Sequence, residues 1–251
     1  MDNFKISLLQ YDIAWENPEA NKKKICEMLA GSGVQRDLIL LPEMFLTGFT
    51  MNTPENAVDM QSKDVEWLRE LSAKHNCAAG GTMIIKDGKS YYNRFILATP
   101  ERKMKFYDKN HLFSYGGENK YYTKGLEKII VHYKNFRILP LVCYDLRFPS
   151  MSDGKGEFDL LIYVSNWPEK RIYAFNHLLI ARAIENQAYV AAVNRIGKDG
   201  TGIIHSGSSQ VIDPMGKVIA NAGSKETVLE TEISQEYLKE VRGKYPFIKD
   251  K

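Results

Sequence analysis

The stretch from Phe136 to Pro149 reads Phe-Arg-Ile-Leu-Pro-Leu-Val-Cys-Tyr-Asp-Leu-Arg-Phe-Pro. Ile138, Leu139, Leu141 and Val142 make a near-continuous apolar run, the pattern of a buried strand, and the run stops at Cys143. Asp145, Arg147 and Pro149 then bring charge and a ring that a helix interior does not accept, so the strand must give way to a turn. A thiol at a strand end is where a fold can hold a nucleophile, because the strand fixes the sulfur while the turn offers backbone N–H groups. Free cysteine is also a common buried hydrophobe, so on this stretch alone inert packing is the default.

The same alternation of apolar run and breaker recurs along the chain. Phe4 to Tyr11 reads as a first strand, and Asn17-Pro18 as a helix cap with proline at the first helical position, for a helix to about Gly31. Leu38 to Leu41 is a short apolar strand that stops at Pro42-Glu43. Ser62 can cap a second helix to about Asn76, with Val65, Leu68 and Leu71 inward. Ala78 to Ile85 and Tyr91 to Thr99 read as a hairpin across Asp87-Gly88, and Met104 to Asp108 leads into Lys109 and a glycine- and tyrosine-rich loop to about Gly125.

After Ile129 to Tyr133 and the stretch above, Phe158 to Ser165 is another buried strand, ending at Asn166-Trp167-Pro168. A long helix from about Arg171 to Gln187 should turn Ile172, Phe175, Leu178, Leu179 and Ile184 inward, and Tyr189 to Asn194 is strand. A hairpin over Gln210 to Ala220, a strand over Val228 to Ile233 and a polar amphipathic helix close the chain. Strands and helices alternate but hairpins intervene, which predicts an α/β fold with mixed sheets and not a purely parallel doubly wound one.

The 251 residues suit one domain, and 44% apolar with 26% charged residues is ordinary for a folded chain. A net charge of +3 predicts neither a nucleic-acid partner nor a membrane surface. Three scattered cysteines give no disulfide framework and no zinc pattern, and together with the absence of a secretory leader they predict a cytoplasmic protein. Neither a Gly-x-Gly-x-x-Gly nor a Walker loop follows a strand, so no nucleotide cofactor is expected, and the cysteine spacing predicts no metal site.

Glu43, Lys109 and Cys143 each stand where a predicted strand becomes loop, and such ends converge on one rim. A carboxylate, an ammonium and a thiol suit amide cleavage through a thioester: the carboxylate takes the thiol proton, the thiolate attacks, and the ammonium stabilises the oxyanion. A thiol with a pKa of about 8.5 is only a few per cent ionised at neutral pH, so the surroundings must assist.

Leu41-Pro42-Glu43-Met44-Phe45, Tyr107-Asp108-Lys109-Asn110-His111-Leu112-Phe113 and Leu141-Val142-Cys143-Tyr144-Asp145-Leu146-Arg147-Phe148-Pro149 resemble the three catalytic blocks of the carbon-nitrogen hydrolase, or nitrilase, superfamily, in order and spacing. The segments around Asn166-Trp167-Pro168 and Ala181 to Val190 extend the resemblance over nearly the whole chain. It implies a four-layer α-β-β-α sandwich, dimerised through one helical layer, with the tail from about residue 234 in oligomer contacts. Cys143-Tyr144-Asp145, where nitrilases carry Cys-Trp-Glu, favours an amidase, and the set is most similar to bacterial omega-amidases, which hydrolyse 2-oxoglutaramate or 2-oxosuccinamate to an oxo-diacid and ammonia.

By that resemblance Cys143 is the nucleophile, Glu43 the general base, and Lys109 with the backbone N–H of Tyr144 the oxyanion site. Glu118 aligns with a second glutamate near the family's active site. Arg147 is a candidate for the substrate's far carboxylate or for a structural pair with Asp145, and Asn166 and Trp167 are candidate pocket walls. Arg182 and Glu185 read as structural helix charges. A Cys143–His111 dyad is the contrary arrangement; in an extended segment the histidine should point away from Lys109. Another small-amide or carbamoyl hydrolase of the superfamily, or a silent member used for binding or assembly, stays open.

Overall fold

In the computed structural model, which describes residues 3–30 and 35–251, two six-stranded mixed sheets lie face to face. The first half supplies β1 (Asn3–Gln10), α1 (Pro18–Ala30), β2 (Leu38–Leu40), the short α2 (Thr53–Asn56), α3 (Lys63–His75), β3 (Ala78–Asp87), β4 (Ser90–Ala98) and β5 (Met104–Asp108). The second supplies β6 (Val131–Tyr133), β7 (Phe136–Val142), the short α4 (Pro149–Ser152), β8 (Leu160–Ser165), α5 (Ile172–Asn186) and β9 (Tyr189–Asn194). Then come β10 (Ile196–Lys198), β11 (Ile204–Ser206), β12 (Gln210–Ile212), β13 (Val218–Asn221), β14 (Thr227–Ser234) and α6 (Gln235–Lys244). The sheet orders are β14-β1-β2-β3-β4-β5 and β13-β12-β9-β8-β7-β6, with β10 and β11 forming a separate ribbon.

The period-2 pattern of the strands assigns the layers. Phe4, Ile6 and Leu8 of β1, Leu38 and Leu40 of β2, and Phe95 and Leu97 of β4 face the second sheet in the central core. Their neighbours Leu9, Ile39 and Ile96 face the other way, onto Ile25 and Leu29 of α1 and Val65, Leu68 and Leu71 of α3. The second sheet is covered in turn by Phe175 and Leu179 of α5. A one-residue slip in any of these strands would exchange the two sets and leave both helices without a partner.

Local signals act as their chemistry dictates. The Asn17 side chain accepts the Ala20 N–H at 3.1 Å, and Ser62 accepts that of Val65 at 3.4 Å. The expected end of α1 at Gly31 lies outside the described residues. The β3–β4 hairpin pairs Asp87 with Ser90, so its loop is Gly88-Lys89, with positive φ at Gly88 alone. That is the II′ pattern, with glycine at the first central position.

Two expectations change. Ile184 is 52% exposed, and α5 instead buries Phe175, Leu179, Arg182, Ala183 and Asn186. Ile184 lies off the stripe those residues define, whereas Arg182 can go under because its guanidinium donates to Leu146 O at 2.7 Å and to Glu185 at 3.1 Å. The β10–β11 ribbon stands where no element was expected; each of its strands has only three residues, too short to show a period.

The parallel connections β1-α1-β2, β2-α3-β3 and β8-α5-β9 bring the carboxyl ends of β2, β7, β8 and β9 toward one rim. Open sheets collect ligands at such ends. Among the described residues no helix is long and apolar enough to cross a membrane.

Candidate active site

A cavity of about 350 Å³ opens at that rim, with Glu43, Lys109 and Cys143 among its lining residues. Glu43 follows β2, Lys109 follows β5 directly, and Cys143 follows β7 directly, so three separate strands deliver the three side chains. β7 ends at Val142, one residue before the expected position, and Cys143 opens a single turn of 3-10 helix with φ +42°. Met44, immediately after Glu43, also sits at positive φ, +45°. Left-handed backbone on residues with a side chain costs about 1 to 3 kcal/mol each and persists only where packing enforces it. Here it turns the chain sharply off a strand so that the strand-end side chain faces the cavity.

Lys109 and Glu43 are each 1% exposed and Glu118 is 0% exposed, so their charges must be satisfied internally. The Lys109 ammonium donates to Glu43 Oε1 at 2.8 Å and to both Glu118 oxygens at 3.1 and 2.9 Å. The Asn93 amide donates to Glu43 Oε1 at 2.8 Å and to Glu118 Oε1 at 3.0 Å. Glu118 Oε2 takes the Phe113 N–H, and Glu43 Oε2 takes the Asn166 N–H at 2.9 Å. The resemblance places Glu118 near the active site, and the loop that carries it there is closed by the Gly125 N–H on Lys109 O at 2.9 Å, where a side chain at Gly125 would collide with Asp108 O.

The pKa directions follow from this arrangement. Burial works against the Lys109 ammonium, but Glu118 and Glu43 outweigh it and raise its pKa. Burial raises the pKa of Glu118 despite Lys109. Burial first, and then the Glu43 carboxylate, push the Cys143 thiol well up, with Lys109 and the Asn166 N–H opposing. These directions favour the protonated form of the Cys143 thiol.

Of the remaining expected residues, Tyr144, Arg147, Asn166 and Trp167 all line the cavity. Arg147 lies 5.0 Å from the Trp167 ring and not on Asp145, whose carboxylate is occupied by Tyr107, Val142 and His111. Asn166 spends its backbone N–H on the Glu43 carboxylate and its amide on Glu43 O at 2.5 Å, so it holds the carboxylate in place. His111 is stacked on Phe148 with ring centroids 3.7 Å apart and bonded to Asp145 at 3.1 Å. It does not line the cavity, so the geometry does not assemble a cysteine-histidine dyad.

Sequence reasoning missed Asn93, Arg171, Trp15 and His205. Asn93 left one signal, a lone amide that with Arg94 opens the buried half of β4 ahead of Phe95, Ile96 and Leu97. Arg171 lines the cavity with its guanidinium 5.1 Å from the Phe113 ring. Among the described residues neither Arg147 nor Arg171 makes an ion pair, in contrast to Lys109. His205, on β11, is pushed down to about 4 by burial and then by the Arg195 guanidinium, so its ring is neutral at physiological pH. The ribbon carrying it packs Gly200 against the Trp15 indole so closely that no Cβ would fit.

The arrangement can take a proton from a thiol, stabilise an oxyanion and attract an anionic ligand group. Among the described residues no group of three or more His, Cys, Asp or Glu side chains is placed to hold a metal ion. The sequence profile described as Carbon-nitrogen hydrolase matches residues 5–243. The chain is 41% identical over 251 residues to Omega-amidase YafV of Yersinia enterocolitica, covering 100% of this chain and 97% of that protein. It is 32% identical to the 2-oxoglutaramate amidase of Bacillus subtilis strain 168, covering 98% and 96%. XC1258 from Xanthomonas campestris, a CN-hydrolase superfamily protein whose crystal structure carries an arsenic adduct in the active site, superposes with a TM-score of 0.97 at 38% identity, covering 100% and 98%. Fold, strand-end residues and relatives agree, and the chain belongs to the carbon-nitrogen hydrolase family.

Proposed function

We propose that this protein is an omega-amidase, a cysteine amidohydrolase that converts 2-oxoglutaramate or 2-oxosuccinamate to the oxo-diacid and ammonia. Cys143 attacks the amide carbon while Glu43 takes the thiol proton. The oxyanion that forms is stabilised by Lys109 and the Tyr144 N–H. Glu43 gives the proton to the departing ammonia, leaving a thioester. A water then passes a proton to Glu43 and attacks the thioester carbon, and collapse of the second oxyanion releases the acid while the Cys143 sulfur recovers its proton. Glu118 positions the Lys109 ammonium throughout.

The observation that carries the substrate class is the pair of guanidinium groups, Arg147 and Arg171, that line the cavity holding the thiol and make no ion pair among the described residues. An unpaired guanidinium beside a buried site is a receptor for carboxylate, and an omega-amide of a dicarboxylic acid carries one at the end away from the amide. The two relatives named above support the same class. Incubation with 2-oxoglutaramate should release ammonia with the wild type and not with Cys143→Ala. No release, together with turnover of an unrelated amide, nitrile or carbamoyl compound, would reject the substrate assignment.

The same reading takes the chain as a single domain that works as a homodimer in the cytoplasm, with the tail from about residue 234 in contacts between copies. Tyr173 on α5 is 75% exposed and Tyr237 on α6 is 36% exposed, which supports a covered helical face. Light scattering that finds a monomer at micromolar concentration would remove the dimer.

A further inference from the structure

Asp145 is 0% exposed and has no lysine or arginine partner among the described residues, yet both its oxygens are fully engaged. Oδ1 accepts the His111 N–H at 2.9 Å and lies 3.1 Å from His111 Nδ1. Oδ2 accepts the Tyr107 hydroxyl at 2.8 Å and the Val142 N–H at 3.0 Å. Tyr107 in turn accepts the Asn110 N–H at 3.2 Å. These partners divide into two groups. Val142 is the residue before Cys143, at the end of β7 in the second sheet, while Tyr107, Asn110 and His111 flank Lys109 at the end of β5 in the first.

We infer that Asp145 is a positioning residue that fixes the spacing between the nucleophile and the oxyanion-stabilising ammonium by tying their two strand ends together across the sheets. The sheets face each other through apolar contacts, which are non-directional and specify a separation better than a lateral offset. Hydrogen bonds to a buried carboxylate are directional and stronger than neutral ones, so they can set that offset at the rim. The length of the side chain matters, because the turn from Cys143 to Arg147 bends the aspartate back onto the N–H of Val142. An amide at this position fails however it is turned. Its NH₂ would face either the His111 N–H or the Val142 N–H, opposing donor to donor.

The inference rests on the reading of Cys143 and Lys109 given above. It is tested by kcat and KM for ammonia release in the wild type, Asp145→Asn, His111→Ala, Tyr107→Phe and the Asp145→Asn/His111→Ala double variant, with thermal midpoints alongside. Displacing one reacting group by a fraction of an ångström to 1 Å predicts a fall in kcat of about 100-fold for Asp145→Asn with KM changed less than about threefold. His111→Ala and Tyr107→Phe should each lower kcat by about tenfold, and the double variant should be no slower than Asp145→Asn alone, because both changes sever one connection. A merely structural role would lower the midpoint and leave kcat per folded molecule unchanged, and that result, or additive losses in the double variant, overturns the inference. If Asp145→Asn does not fold, the two smaller variants decide by the same split. If the wild type is silent on 2-oxoglutaramate, the substrate reading fails separately, and alkylation of Cys143 by iodoacetamide becomes the readout: about tenfold slower in Asp145→Asn supports the positioning role, and equal rates reject it.

Discussion

The floor and the wall of the cavity treat charge in opposite ways. On the floor, Lys109 meets two carboxylates, and Asn93 donates to both of them. On the wall, Arg147 and Arg171 lie over aromatic rings with no ion pair among the described residues. The floor is complete before a substrate arrives, so its groups need little reorganisation during the chemistry. The wall leaves positive charge for a ligand to satisfy, and under the proposed function it is where substrates would be told apart.

Breaking the floor should have the larger effect. Asn93→Leu removes a donor from each of Glu43 and Glu118 while keeping the branched shape of the side chain. At about 1 to 3 kcal/mol for a buried acceptor left without its donor, kcat should fall by about 100-fold with little change in KM. A variant with wild-type kcat would show that Lys109 alone holds both carboxylates in register.

Breaking the wall should act on binding. Arg147→Gln is expected to raise KM for 2-oxoglutaramate by about 30- to 100-fold, the value of a charge-assisted bond to a desolvated carboxylate, with kcat largely retained. A small neutral amide that lacks the far carboxylate, such as butyramide, should be hydrolysed equally by both proteins. Equal losses on both amides would move Arg147 from the substrate to the scaffold.

His205 extends the contrast from rates to stability. In the unfolded chain a histidine takes its proton near pH 6.5, whereas in the fold His205 waits until about 4. Between those values the unfolded state binds more protons, so stability falls as pH drops through this window and is constant below it. The full difference amounts to about 3 kcal/mol. Urea unfolding at pH 7 and pH 4.5 should show most of that loss in the wild type and a smaller loss in His205→Gln. Parallel curves would mean that the imidazole reaches solvent.

Much of the site was legible because the residues that carry it end apolar runs. Glu43, Lys109 and Cys143 stand at breaks between strand and loop, and a break in periodicity is a local signal. Glu118 was legible only by resemblance, since nothing in Gly117-Glu118-Asn119 announces that Gly125 will fold the loop back onto Lys109. Asn166 was assigned to a wall because it ends a strand, but its amide turned out to serve Glu43. The inward side of α5 was misjudged at Ile184 because residue type was weighed above angular position. Arg182 took a buried place instead once Leu146 O could accept from it.

From its amino acids alone this chain determined a mixed α/β architecture and the strand ends that carry a thiol, an ammonium and a carboxylate. Those features are local, set by side-chain period and by where charge or proline interrupts it. Only the tertiary structure decided that Asn93 bridges two carboxylates, that Asp145 serves the Lys109 loop and not Arg147, and that Arg171, Trp15 and His205 share a cavity with Cys143. Each of those depends on residues from different strands meeting across two sheets. No spacing along the chain encodes such a meeting, because it follows from how the sheets pack.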